Sequence, residues 1–300
     1  MSGQYSLSEQ LADNVRSVHG KSGDAWLARL PDLIGEFRER WSLELDQPFQ
    51  NLSFNLVIPG RDANNSPIVL KLGVPCTELF TEAAALEVFE SRGAVRLLAH
   101  DSKLGALLLE RISPGTQLHE LGDEAHATQI AAALMRQLWR EPRPEHAFPS
   151  IATWFRSFER LPSAEAVLKN FARRAEPLVA KLIDTAPPAK LLHGDLHHEN
   201  ILKSAERGWL AIDPKGVCGD PGYEIGPFML NKLPLRAAAK QLSTVMTQRL
   251  SIFSRELGID YERLALWSFC YAVLSAVWSY QDNMEFEGTL RLAEILWQLT

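Results

Sequence analysis

The feature that most restricts the fold is a change of periodicity close to residue 112. Before it, short extended runs recur: NLSFNLVIPG, PIVLKLGV, AVRLLAHD and GALLLERI are β-branched or alternate apolar with polar residues, as strands do. GRDANNSP supplies the Gly, Asn and Pro of a turn, so a hairpin across residues 50–73 is expected, with Lys71 inside its second strand. TELFTEAAALEVFESRG is rich in Ala, Leu and Glu and reads as a helix, with Thr77 as N-cap and Gly93 as stop. Ahead of the strands, Trp26, Leu27, Leu30, Leu33, Ile34, Phe37 and Trp41 recur at helical spacing, and a break is expected at Pro31. From about Gln117 onward helical patterns dominate, apart from a loop-rich stretch from Leu191 to Phe228 with strand-like runs at ILK and WLAID. The expectation is an α+β chain of two lobes: a small antiparallel-sheet lobe over residues 1–112 and a larger, mainly helical lobe over residues 113–300.

Composition narrows the function. A net charge of -6 argues against nucleic acid as partner, because neutralising phosphates needs clustered basic surface. Cys76, Cys218 and Cys270 are odd in number, far apart and in no C-x-x-C pair, so neither a disulfide framework nor a zinc ribbon is expected. With no export signal and no run of ~20 apolar residues, the chain is expected in the cytoplasm, off the membrane, as a monomer or homodimer.

LLHGDLHHENIL, residues 191–202, sets two acids, three histidines and an asparagine between aliphatic pairs. Asp195 stands five positions before Asn200, and WLAIDPKG puts Asp213 at the end of an apolar strand. Phosphoryl transfer needs that set: a carboxylate to meet the acceptor hydroxyl, and an amide and a second carboxylate to hold Mg²⁺ on the nucleotide phosphates. His193 and His197, four apart, invite a zinc reading. Gly194 argues against a helix between them, and the Glu of H-E-x-x-H is missing, so His193 is read as a structural hydrogen-bonding residue. No G-x-x-x-x-G-K is present, which excludes a P-loop as the source of a nucleotide site. Asp220 and Glu224 either cap the following helix or line the acceptor site; Trp267, Tyr271, Leu274 and Trp278 recur at helical spacing and are read as core rather than as a substrate cage; Asp282, Glu285 and Glu287 form a solvated loop or dock a cationic acceptor.

H-G-D-x-x-x-x-N followed by I-D-P resembles the aminoglycoside phosphotransferase branch of the protein-kinase-like fold. VLKLGVP, EAAALEVF, GAVRLLAHD, GALLLERISPGTQL, LLHGDLHHENIL and AIDPKGVCGDPGYEIGPFMLN, in order, resemble more closely the aminoglycoside/hydroxyurea antibiotic resistance kinases. The resemblance implies ATP and Mg²⁺ as cofactors, Asp195 as catalytic base, and Asn200 and Asp213 as metal ligands. It implies Lys71 on the α- and β-phosphates, positioned by Glu82, and a hinge, Leu109 to Ile112, whose backbone at Glu110 and Ile112 pairs with adenine. The phosphate loop would be QNLSFNLV, where Asn51, Ser53 and Asn55 replace the family's glycine as donors. The implied acceptor is a hydroxyl of a small, cationic molecule: a streptomycin-type aminoglycoside or hydroxyurea. A metabolic kinase for another small molecule and a nucleotide-binding pseudokinase are the alternatives.

Overall fold

The computed structural model describes residue 8 onward, apart from residues 51, 163, 164, 235 and 236. It divides into two compact units, Met1–Ser91 with Val95–Ser113, and Arg92–Ala94 with Pro114–Thr300.

The first unit opens with helix α1, Glu9–Arg40, whose first turn is capped by Ser8 Oγ accepting from Leu11 N at 3.2 Å. The helix departs from helical geometry at Gly20 (φ 53°, ψ -129°) and not at Pro31. Gly20 has no Cβ to oppose that backbone, whereas Pro31 is flanked by Leu30, Leu33, Ile34 and Phe37, all buried, whose packing holds the helix through the missing N–H. Strands β1 (Glu44–Leu45), β2 (Leu56–Arg61) and β3 (Pro67–Leu72) follow, then helix α2 (Thr77–Phe89) and strands β4 (Leu97–Asp101) and β5 (Ala106–Glu110). The sheet order is β1-β2-β3-β5-β4, antiparallel throughout, and the expected hairpin pairs Leu56 with Leu72 down to Arg61 with Pro67. Cys76, not Thr77, is the N-cap of α2, and the helix stops at Glu90 in the left-handed region (φ 50°), before Gly93. Side chains alternate across β3: Ile68, Leu70 and Leu72 join α1 in one apolar core, which turns Lys71 to the opposite face.

The second unit contains strand β6 (Pro114–Gln117), helices α3 (Glu124–Leu138), α4 (Ile151–Phe155) and α5 (Ala166–Asp184), strands β7 (Lys190–Leu192), β8 (Ile201–Ser204), β9 (Gly208–Ala211) and β10 (Val217–Gly219), and helices α6 (Gly226–Leu230), α7 (Ala239–Leu257), α8 (Tyr261–Gln281) and α9 (Glu287–Trp297). The strand-like runs ILK and WLAID are β8 and β9, joined by β6 in a three-stranded sheet; β7 pairs with β10 in a separate ladder. Helix α8 is buried on all sides, as its apolar residues require, and packs against α5, α7 and α9. Among the described residues, no helix is long and apolar enough to cross a membrane.

Candidate active site

Strand β7 delivers the chain into His193, Gly194 and Asp195. Gly194 takes φ +82°, and a Cβ there would lie 2.8 Å from Trp154 Cη2 and 3.0 Å from Val217 Cγ1, so only glycine fits the bend. A helical turn, His198–Asn200, brings Asn200 back, and its Nδ2 donates to Asp195 O at 3.0 Å. Ile212 N donates to Asn200 O at 2.9 Å, which places Asp213 one residue beyond, at φ 58°. The imidazole of His193 closes the knot: Nε2–H donates to Ile212 O at 2.8 Å and Nδ1 accepts from Asp195 N at 3.2 Å. Burial lowers its pKa to about 3, so the ring is neutral with the proton on Nε2. The structure thus gathers Asp195, Asn200 and Asp213 around one buried histidine. His197 lies beside the knot, with Nδ1 accepting from Glu199 N at 3.3 Å and Nε2 3.9 Å from Asp195 Oδ1. Among the described residues no three His, Cys, Asp or Glu side chains converge on a metal position.

Two acids brace this loop from behind. Glu224, fully buried, neither caps a helix nor reaches solvent: its Oε2 accepts from His193 N at 2.7 Å and its Oε1 from Gly194 N at 2.8 Å. Burial raises its pKa to about 8 against the downward pull of those two donors. Asp220 is a cap, accepting from Gly222 N at 2.8 Å, and also accepts from Trp267 Nε1 at 2.7 Å and Arg263 Nε at 2.8 Å. Below the turn, His198 stacks on Phe228 at 3.9 Å, and buried Arg249 donates to Phe228 O (2.6 Å), Asn231 O (2.9 Å) and Glu124 Oε1 (2.7 Å). Sequence reasoning passed over Arg249, His198 and Trp154; a charged residue inside the apolar stripe of α7 is the one signal that marked Arg249.

In the first unit, Lys71 Nζ donates to both oxygens of Glu82, at 2.7 and 2.8 Å, with the two residues 3% and 4% exposed. A pair so dry is held by mutual charge, and it fixes the ammonium on the α2 face of β3. At the end of β5, Glu110 N donates to Arg96 O (3.0 Å) and Arg111 N to Pro67 O (3.1 Å), so Ile112 N is the first backbone donor past the sheet. Ser53 is exposed and its carbonyl accepts from Asn14 Nδ2 at 2.9 Å, which ties the loop before β2 to α1. Asn55 lies over Gly73, where any Cβ would collide with its Oδ1. Asn51 falls outside the described residues.

The donor set suits Mg²⁺. With Nδ2 of Asn200 donating to Asp195 O, Oδ1 would be the end to meet a cation, and Asp213 would add a carboxylate. Hard oxygen donors of this kind would suit Mg²⁺, which when bound would neutralise phosphate charge.

Comparison with known proteins places this geometry. A streptomycin 6-kinase of Streptomyces glaucescens is 31% identical over 284 residues, covering 92% of each chain. A hydroxyurea phosphotransferase of Kitasatospora aureofaciens is 33% identical over 287 residues, covering 92% of this chain and 82% of that one. The fold is shared with a choline kinase of Streptococcus pneumoniae (TM-score 0.64, 16% identity, 90% and 99% of the two chains), a protein-kinase-like structure. Residues 40–283, which include the whole of the Asp195–Asn200–Asp213 knot and the Lys71–Glu82 pair, match one family model, and the chain belongs to the aminoglycoside/hydroxyurea antibiotic resistance kinases.

Proposed function

We propose that the protein transfers the γ-phosphoryl group of ATP to a hydroxyl of a small molecule, a streptomycin-type aminoglycoside or hydroxyurea. The observation that carries the reading is the knot itself: one neutral histidine holds the backbone of Asp195 and of Ile212, while Asn200 ties the other side of both. Phosphoryl transfer asks mostly for such positioning and for charge neutralisation. Asp195 orients the acceptor hydroxyl and takes its proton as the oxygen–phosphorus bond forms and the bond from the γ-phosphorus to the bridging oxygen breaks, the electron pair leaving with ADP. Asn200 and Asp213 would hold Mg²⁺, which when bound neutralises phosphate charge. Lys71, held by Glu82, meets the α- and β-phosphates, and Ile112 N–H with Glu110 O pairs with adenine. The relatives named streptomycin 6-kinase and hydroxyurea phosphotransferase support the acceptor classes.

The test is turnover. Purified protein with Mg²⁺ and ATP is expected to convert streptomycin or hydroxyurea into a phosphate ester detectable by phosphorus NMR and mass spectrometry. ATP consumption with neither compound, but with another alcohol from a hydroxyl panel, would replace the acceptor and keep the chemistry.

A further inference from the structure

Four aromatic rings of the second unit close into a box next to Gly194 and Asp195. Trp154 meets Tyr223 (6.0 Å between centroids), Tyr223 meets Tyr271 (5.5 Å), Tyr271 meets Trp278 (6.4 Å), and Trp278 returns to Trp154 at 5.6 Å. Three of these contacts are edge-to-face. The box is anchored to the catalytic loop twice: Trp154 Cη2 lies against the Cα side of Gly194, and Glu224, next to Tyr223, accepts from Gly194 N. Tyr223 and Tyr271 are buried and form its floor, while Trp154 and Trp278 are half-buried and form its rim. The floor carries an anomaly: the Tyr223 hydroxyl is buried with no hydrogen-bond partner, a state costing roughly 1–3 kcal/mol unless some group arrives to meet it. The Asp195 carboxylate is close enough to push the ionisation of both tyrosines upward, behind the larger effect of burial.

We propose that this box is the acceptor subsite and receives a flat, delocalised guanidino or ureido group, setting the neighbouring hydroxyl of the same molecule before Asp195. This deepens the phosphotransferase reading and rests on it. Ring faces are electron-rich and favour a weakly hydrated, planar cation that can lie against them. Asp195 at one side and Asp282, four residues past Trp278 with its N–H on Trp278 O at 2.9 Å, add negative charge. Guanidino and ureido groups are planar, near-isosteric and rich in N–H donors, and a donor is what the Tyr223 oxygen lacks. Streptomycin is a guanidino compound and hydroxyurea a ureido compound, so one box accounts for two acceptors that otherwise share little.

The experiment compares wild type with Trp278→Leu, Trp278→Phe and Trp154→Leu, measuring KM and kcat for streptomycin and hydroxyurea and affinity for ADP. Both leucine variants are expected to raise the acceptor KM at least about ten-fold, with Trp278→Phe near wild type and ADP affinity unchanged. Wild-type acceptor KM in both leucine variants would overturn the assignment. Methylguanidine, followed by saturation-transfer NMR on the wild type and by inhibition, covers the case in which a variant fails to fold. It is expected to bind, to compete with acceptor but not with ATP, and to outbind tetramethylammonium, a rounder cation. Absence of methylguanidine binding, or equal binding of tetramethylammonium, would contradict a box built for flat groups. If the wild type turns over neither acceptor, the function reading fails while methylguanidine binding lost in Trp278→Leu still upholds the box.

Discussion

Asp213 sits in the left-handed region, a backbone state that costs a non-glycine residue about 1 kcal/mol and persists only where neighbours hold it. Here the preceding residue is held at both ends, Ile212 N by Asn200 and Ile212 O by His193, so the strain aims the carboxylate. Asp213→Ala should therefore leave the fold intact and raise the Mg²⁺ concentration for half-maximal rate by about ten-fold or more, equivalent to ~1.4 kcal/mol per decade. A magnesium titration of the rate checks it, and an unchanged midpoint would mean the metal is held elsewhere. Glu224 gives a pH signature. Its folded pKa, about 8, lies above that of an unfolded glutamate, so the folded state binds more protons than the unfolded one between those values. Its contribution to stability is complete below the unfolded pKa and is lost as pH rises through about 8. Glu224→Gln, which stays neutral, should remove that downward slope; denaturant midpoints from pH 5 to 9 that keep the same slope in both proteins would refute the assignment.

At the scale of elements, the β7–β10 ladder, the turn at His198–Asn200 and helix α6 are fastened by a few buried groups, and their loss should cost more than any surface change. Gly194→Ala adds a left-handed alanine and a clash with Trp154 and Val217, together roughly 2–5 kcal/mol. The urea midpoint should fall, and kcat should fall further than stability alone explains, because the bend sets Asp195. Arg249 ties Phe228, Met229 and Asn231 carbonyls to Glu124 and so supports the ring on which His198 stacks. Arg249→Met is expected to destabilise by roughly 3 kcal/mol, since it leaves several buried acceptors without a donor. Urea unfolding within about 1 kcal/mol of wild type would show that water replaces the guanidinium.

Across the whole molecule, what the sequence made legible was local. The switch from period-2 runs to helical spacing marked the sheet-bearing and helical parts, the Asn- and Pro-rich turn marked the hairpin, and H-G-D-x-x-x-x-N with I-D-P marked Asp195, Asn200 and Asp213. What stayed hidden was decided by distant partners. Three-residue strands such as β7 and β10 are too short to show a period, and their pairing joins residues 25 or more apart. Gly93 and Ala94 belong with the second unit because Ala211 N donates to Gly93 O at 2.8 Å, which no local pattern announces. The kink at Gly20 instead of Pro31 reflects burial overruling propensity, and Glu224 looked like a cap because its partners, His193 and Gly194, lie some thirty residues upstream. In the proposed reaction this knot of residues moves phosphate onto a small-molecule hydroxyl with Asp195 as base. The most direct measurement runs wild type and Asp195→Ala in parallel, scoring phosphorylated streptomycin or hydroxyurea by mass spectrometry and ADP affinity by calorimetry. Product from the wild type, its loss by at least about a hundred-fold in the variant and ADP affinity within about three-fold are expected, because the base is not needed to hold nucleotide; product formed by Asp195→Ala at the wild-type rate would contradict the account.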